Sequence, residues 1–413
     1  MLKKFRANKD FGQLLKNIVA LGILRGLDLV IPLLVLPYLI RVVGIDNFGL
    51  LAFSLSTSAY FGAVMQFGFS ITAARDVARA KANQAEVEKI FSVTLFASLI
   101  LALACVIAFS ILVAFVPAFG ENRGVFFSSM FLITMQSLLP VWLFQGLEKM
   151  QFITALAFTS KLIYVGALFL MVKQPHDYIF VHLLNGAAAA IVFFAAISIA
   201  RWRFSLRIFF PGWREILTAY KHGYDVFIGQ LAPNLYNNSA NFLLGVYWGK
   251  SAVGVFSAAA ALVDAANSVG RIVCTAYLPL LSRDIRKFKA FKWVMLGLGA
   301  LLSIALFILS PVASSFLVPK DSDLISKEIR WLAPSIIFAF LYLTYGTNYL
   351  NLVGLAKVGA KISVRVSLVC FFIGIFVIPK FGVMGAIALI LVARFLMAMS
   401  VILFSGAGSK TNI

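Results

Sequence analysis

The chain has 413 residues, 62% hydrophobic and 13% charged, with a formal net charge of +20. A soluble domain is nearer half apolar and a quarter charged, so this composition excludes an ordinary soluble fold, and the apolar residues fall in blocks long enough to cross a bilayer. A charge this positive would point to nucleic acid in a soluble protein. Here the basic residues collect in loops on one side of the apolar blocks, as the positive-inside rule requires, and no nucleic-acid partner is expected.

The basic N-terminus MLKKFRANKDFGQLLK lacks a cleavage site and runs into a first apolar block too long for a signal peptide, so it reads as a retained span. Twelve helices are expected, at 18–40, 48–70, 90–117, 125–146, 153–172, 178–200, 221–246, 252–280, 293–318, 329–353, 362–379 and 383–406. The expected fold is an all-α polytopic membrane protein of two six-helix lobes, 1–200 and 220–413, joined by a cytoplasmic linker at 201–219. In that linker Pro211-Gly212 breaks the chain, and WREILTAY then forms an amphipathic helix on the inner membrane surface. Of the basic loop residues, 22 fall on one side and 7 on the other, which places both termini in the cytoplasm. External loops are short; the longest is PKDSDLISKE. Cys105, Cys274 and Cys370 all lie inside apolar spans, so neither a disulfide framework nor a zinc site is implied.

The two halves echo each other. VGIDNFGLLAF carries Gly44 and Gly49, and WGKSAVGVFSA carries Gly249 and Gly254, 205 residues later in each case. Each copy runs through an apolar segment to an Arg-Asp pair, Arg75-Asp76 in the first and Arg283-Asp284 in the second. In a membrane protein, two repeats are the plan of a transporter whose lobes rock about a midplane site.

Charges inside the spans are expensive unless paired or hydrated, so they are expected to face protein or a water-filled cavity. The basic ones are Arg25, Lys161, Arg271, Arg365 and Arg394, and the acidic ones are Asp28, Asp225 and Asp264, a surplus of two positive charges. Arg25 and Asp28 share a face of the first helix ahead of Pro32 and Pro37, either as part of a moving element or as a static pair. Asp264 and Arg271 share a face two turns apart, too far to pair as neighbours. Lys161 and Arg394 lie mid-helix without a charged neighbour at helical spacing, so carbonyl anchoring and cavity lining are both open to them. Arg365 lies within reach of the inner interface by snorkelling, and Asp225 has Lys221 one turn away.

The seventh helix carries a polar stripe, Gln230, Asn234, Asn237 (or Asn238) and Asn241, with Pro233 inside it. Carboxamides both donate and accept, which suits sugar hydroxyls, although interhelical hydrogen bonding would use the same residues. On the tenth helix Tyr342, Tyr345 and Tyr349 follow at spacings of three and four, which places them on one face of an α-helix, where they either stack on sugar rings or mark headgroup depth. A cavity with surplus positive charge suits an anion such as a pyrophosphate.

The stretch LIRVVGIDNFGLLAFSLSTSAYFGAVMQFGFSITAARDVA, with YKHGYDVFIGQLAPNLYNN and VGVFSAAAALVD in the second half, resembles the Wzx-type O-antigen and polysaccharide flippases. These belong to the multidrug/oligosaccharidyl-lipid/polysaccharide exporter superfamily, and the resemblance covers nearly the whole chain. It implies a V-shaped, MATE-like bundle in the bacterial inner membrane. It further implies transfer of undecaprenyl-pyrophosphate-linked oligosaccharide from the cytoplasmic to the periplasmic leaflet, beside a repeat-unit polymerase and a chain-length regulator. Arg25, Asp28, Asp264 and Arg271 match by position the cavity charges that matter in that family.

The expected function is therefore a lipid-linked oligosaccharide flippase working by ion-coupled alternating access. Arg25 and Arg271 are expected on the pyrophosphate, and Gln230, Asn234, Asn237, Asn241, Tyr342, Tyr345 and Tyr349 on the glycan. Asp28 and Asp264 are expected to carry H⁺ or Na⁺ coupling, with Lys161 and Arg394 as further intramembrane cations. The rival within the superfamily is a cation-coupled multidrug exporter, which the basic cavity disfavours. An enzyme is not expected, because acidic residues in the external loops are scattered and His176, His182 and His222 have no metal-ligand spacing. No cofactor is expected.

Overall fold

A computed structural model describes residue 31, residues 34–318 and residues 322–409. Among these the chain is α-helical without strands. In order the helices are α1 (Leu34–Val43), α2 (Ile45–Gln66), α3 (Phe69–Ala80), α4 (Gln84–Phe115), α5 (Pro117–Gly120), α6 (Arg123–Leu138), α7 (Val141–Gly146), α8 (Met150–Met171) and α9 (Tyr178–Trp202). They continue with α10 (Trp213–Tyr247), α11 (Gly249–Arg283), α12 (Phe288–Ile308), α13 (Ser310–Leu317), α14 (Ser322–Leu332), α15 (Ser335–Tyr342), a π-helical segment Leu343–Tyr349, α16 (Leu350–Leu352) and α17 (Ala356–Ser409). Among the described residues eight helical segments are long and apolar enough to cross a membrane. The protein is a multi-pass membrane protein, and its helices accord with the expected twelve spans. α17 is two helices joined across Gly382, where φ is 56° and ψ −132°.

Several expected spans are subdivided. The fourth breaks between α6 and α7, where Pro140 supplies no backbone donor. The second ends at Phe67 and Gly68, both with positive φ, and the amphipathic α3 follows. The loop expected at PKDSDLISKE is helical from Ser322, because Ile325, Ile329 and Leu332 recur at helical spacing and are buried. The surface helix expected at WREILTAY is the first part of the continuous α10.

The chain divides into two compact units. Among the described residues the first comprises 31 and 58–231, and the second 34–57, 232–318 and 322–409, so α2 and α10 each contribute to both. In the first unit α9 packs on α6 and α8, and α3 packs on α4 and α7. Its core includes Phe69, Val77, Phe91, Leu143, Leu206 and Ile216. The opposite face of α4 presents Leu99, Leu103, Ile107 and Ile111, all exposed and four residues apart, a stripe that only a lipid environment would cover favourably.

In the second unit α11 packs on α12 and α14, and α15 packs on α12 and α17. The repeated glycines start its helices alike. Gly44 and Gly249 have φ of 83° and 79°, a left-handed turn that a Cβ would strain. Gly49 and Gly254 lie where α2 and α11 cross. A Cβ on Gly49 would fall on the Lys250 carbonyl and the Gly254 backbone, and one on Gly254 would fall on the Ile45 carbonyl.

Candidate functional site

A cavity of about 530 Å³ lies inside the second unit, walled by α10, α11, α14, α15, the π segment and α17. Helical spacing explains who faces it. On α11, Asp264, Asn267 and Arg271 follow at i, i+3 and i+7, one stripe of a helix, and all three line the cavity. On α10, Asn237 and Asn241 line it one turn apart. Ser363, Ser367 and Arg394 approach from α17, and Tyr342 from the end of α15.

The charges are organised by hydroxyls. Arg394 donates from Nη1 to Ser335 Oγ at 2.8 Å and from Nη2 to Asp264 Oδ1 at 3.2 Å. Ser335 is fully buried, so it anchors the guanidinium from behind. Ser268 Oγ donates to the Asp264 carbonyl at 2.8 Å and accepts from Arg271 Nη2. Ser257 Oγ donates to Asn241 Oδ1 at 2.9 Å. Two buried acceptors on the cavity walls, Asn267 Oδ1 and Ser367 Oγ, have no hydrogen-bond partner among the described residues. A buried polar atom left unpaired costs roughly 1–3 kcal/mol, so these two are placed to receive a donor from a bound molecule.

The structure thus gathers Arg271, Asp264, Arg394, Asn237, Asn241 and Tyr342 into one cavity. It separates others. Gln230 belongs to the first unit, where its Nε2 donates to Ser70 Oγ at 3.4 Å. Asn234 accepts from Asn238 Nδ2 at 3.2 Å along the helix. Tyr345 and Tyr349 pack on each other and on Phe288, with ring centroids 5.7 and 4.9 Å from the phenylalanine. Both lie in the π segment, whose i→i+5 bonding departs from the α-helical register assumed for this face, and both still pack with Tyr342 against Leu350, Ile362 and Val401. Lys161 is half-buried on α8 in the first unit. Arg25 and Asp28 lie outside the described residues.

Of the Arg-Asp motifs, Arg75 and Asp76 meet at 3.4 Å, and His222 on α10 takes a hydrogen bond from Arg75 and lies 3.6 Å from Asp76. In the second copy Asp284 accepts from the backbone and side chain of Arg286, both at 3.1 Å, while Arg283 is exposed. A second cleft, in the first unit, is lined by Asp76, Glu86, Lys89, Arg214 and Glu215. There Lys89 pairs with Glu215 at 2.9 Å, and Gly212 N–H donates to the same carboxylate at 3.0 Å. Lys89 first, and then that N–H, hold the Glu215 carboxyl below the usual glutamate value.

Asn267, Ser363 and Ser367 were not singled out from the sequence. Asn267 was legible in principle, since it lies between Asp264 and Arg271 on their face, and the two serines are one turn apart on α17, either side of Arg365. Ser335 was not, because its register against Arg394 is tertiary. Among the described residues no group of three or more His, Cys, Asp or Glu could hold a metal ion.

The sequence model of the family described as "Polysaccharide biosynthesis protein" matches residues 14–284. Two curated relatives are each named "Putative O-antigen transporter". The one from Escherichia coli (strain K12) is 26% identical over 278 residues, 65% of either chain. The one from Shigella dysenteriae is 27% identical over 329 residues, covering 78% of this chain and 83% of the relative. Among solved structures, an inward-facing multidrug resistance MATE family transporter of the MOP superfamily aligns with a TM-score of 0.66 at 15% identity, over 95% of this chain and all of that one. The lipid II flippase MurJ, in an inward closed conformation, aligns with a TM-score of 0.63 at 14% identity, over 87% of this chain and 84% of that one. At these identities the structural likeness speaks to the fold alone, which is similar to that of these transporters.

Proposed function

This chain belongs to the polysaccharide biosynthesis protein family, and on that premise we propose that it is a flippase for undecaprenyl-pyrophosphate-linked repeat units of an O-antigen or related polysaccharide. It moves them from the cytoplasmic to the periplasmic leaflet of a bacterial inner membrane. The observation that carries this reading is the cavity in the second unit, where Arg271 and Arg394 stand against one carboxylate, Asp264, among amides and hydroxyls. Guanidinium groups suit a diphosphate by bidentate hydrogen bonding. Asn237, Asn241 and the unpartnered oxygens of Asn267 and Ser367 suit sugar hydroxyls. The relatives named for O-antigen transport support the same cargo.

In this reading the chain forms two six-helix lobes, 1–200 and 220–413, with 201–219 between them and both termini in the cytoplasm. Arg271, with Arg25, holds the diphosphate while the polyprenyl tail stays in lipid. Asp264 and Asp28 carry the coupling ion, H⁺ or Na⁺. A repeat-unit polymerase and a chain-length regulator take the delivered units. A surplus of positive charge disfavours cationic drugs as cargo.

The test is complementation. The chain is expressed in a flippase-null strain whose repeat unit stalls on the inner leaflet, and surface polysaccharide is resolved on a gel. A restored ladder is expected, and Arg271→Ala or Arg25→Ala should abolish it with expression intact. No ladder together with gained resistance to cationic dyes would replace the reading with a multidrug exporter.

A further inference from the structure

We propose that Asp264 is an internal counter-anion, which occupies on Arg394 the place that an anionic phosphate oxygen of the cargo takes on binding. The inference rests on the reading of this cavity as a diphosphate site and adds a second anion ligand, Arg394, with a competitor built into the protein.

The two partners of the pair are unequal. Arg394 is anchored: its side chain is only 21% exposed, and one terminal nitrogen is committed to the fully buried Ser335. Asp264 is loosely held, with a side chain 63% exposed and a single 3.2 Å bond to the other terminal nitrogen. A largely buried guanidinium is costly to leave without an anion, whereas a mostly exposed carboxylate swings into water at little cost. Exchange of one anion for another on a fixed Arg394 is therefore the low-cost motion at this point.

The neighbouring groups favour a diphosphate as the incoming anion. Arg271 lies two turns beyond Asp264 on the same face, and its guanidinium reaches back one turn onto Ser268, towards Asp264. Ser268 in turn donates to the Asp264 carbonyl, so the Arg271 head and the Asp264 turn share one hydroxyl. Asn267 lies between them with its Oδ1 buried and unpartnered, an acceptor for a sugar hydroxyl next to the phosphate. With Asp264 on Arg394, the charged side chains among the described lining residues sum to one positive charge. With Asp264 withdrawn into water, two guanidinium groups face a diphosphate diester, which carries two negative charges.

The test is titration of the purified full chain in detergent with inorganic pyrophosphate, for the wild type, Asp264→Asn, Arg394→Gln and the double variant. Removing the competitor should tighten pyrophosphate binding by about fivefold, the scale of a released half-exposed ion pair. Arg394→Gln should weaken binding, and adding Asp264→Asn to it should restore nothing, since the gain acts through Arg394. Asp264→Glu keeps the competing charge and should stay near the wild type, which supplies the contrast if Arg394→Gln is not recovered folded. Measurable wild-type binding that is unchanged or weaker in Asp264→Asn would overturn the exchange and leave the diphosphate cavity standing. Absence of binding in both proteins would overturn the exchange and the diphosphate assignment together. The flippase reading itself stands or falls on the polysaccharide ladder.

Discussion

Gly49 and Gly254, equivalent positions of the internal repeat, meet backbone to backbone where α2 crosses α11. The sequence echo is thus a physical contact between the two copies. Each glycine is required because the other helix occupies the space of its Cβ, and small residues at such crossings are how membrane helices approach closely without a hydrophobic driving force. Gly49→Ala and Gly254→Ala should each destabilise the protein by about 1–3 kcal/mol through overpacking. The double variant should cost less than the sum, because both changes push the same helix pair apart. Melting temperatures in detergent would measure this; additive losses would mean that the two glycines act at separate contacts.

The turn within α17 depends on a distant indole. Gly382 leaves helical geometry, and the Ile378 carbonyl one turn before it accepts from Trp248 Nε1 at 3.0 Å. Trp248→Phe keeps the ring and removes the donor. A loss of about 1 kcal/mol in stability is expected, the net worth of one hydrogen bond. Unchanged thermal stability in Trp248→Phe would show that the indole contributes packing alone.

The Lys89–Glu215 pair gives a pH signature. The Glu215 carboxyl is held below its ordinary value of 4.5, so its contribution is present above that value and lost as pH falls through the lower folded-state value. Glu215→Gln should therefore melt earlier than the wild type at neutral pH, and the gap should close in acid. A gap that stays constant into strong acid would mean that the glutamine disturbs packing rather than charge.

Tyr342 and Tyr349 should separate by phenotype. Both rings pack against the cluster of Leu350, Ile362 and Val401, but Tyr342 also lines the cavity, whereas Tyr349 packs on Phe288. Tyr349→Ala should cost about 2 kcal/mol of stability through lost aromatic packing, and Tyr349→Phe should retain transport. Tyr342→Ala should reduce the polysaccharide ladder more than it reduces the amount of folded protein. Equal loss of ladder in Tyr349→Phe would place the second hydroxyl on the cargo route.

The membrane class and the helical fold were legible because bilayer-length apolar blocks leave no other all-helical solution. Much of the candidate cavity was legible for a related reason: Asp264, Arg271 and Arg394 are conspicuous in lipid-length helices, and α11 keeps its register over 35 residues. What failed to transfer was any inference that extended one ideal helical register too far. Pro140, the Gly68 turn and the π segment each reset the register locally, and their neighbours in sequence ended up in different surroundings. The Arg394–Asp264 pair was illegible for a different reason, since it joins residues 130 apart on separate helices.

The π segment Leu343–Tyr349 has a consequence for how this region can change over time. It holds one residue more than the α turn it replaces, and each residue of an α-helix turns the chain by about 100°. A chain that lost one residue there would close into ordinary helix with both flanks nearly in place, whereas most deletions in a spanning helix would rotate everything beyond them. The stretch between the cavity-lining Tyr342 and the packed Tyr349 is therefore where a length change in the gene is absorbed most cheaply, and descendants of this sequence could differ there by a codon while keeping the same lobe.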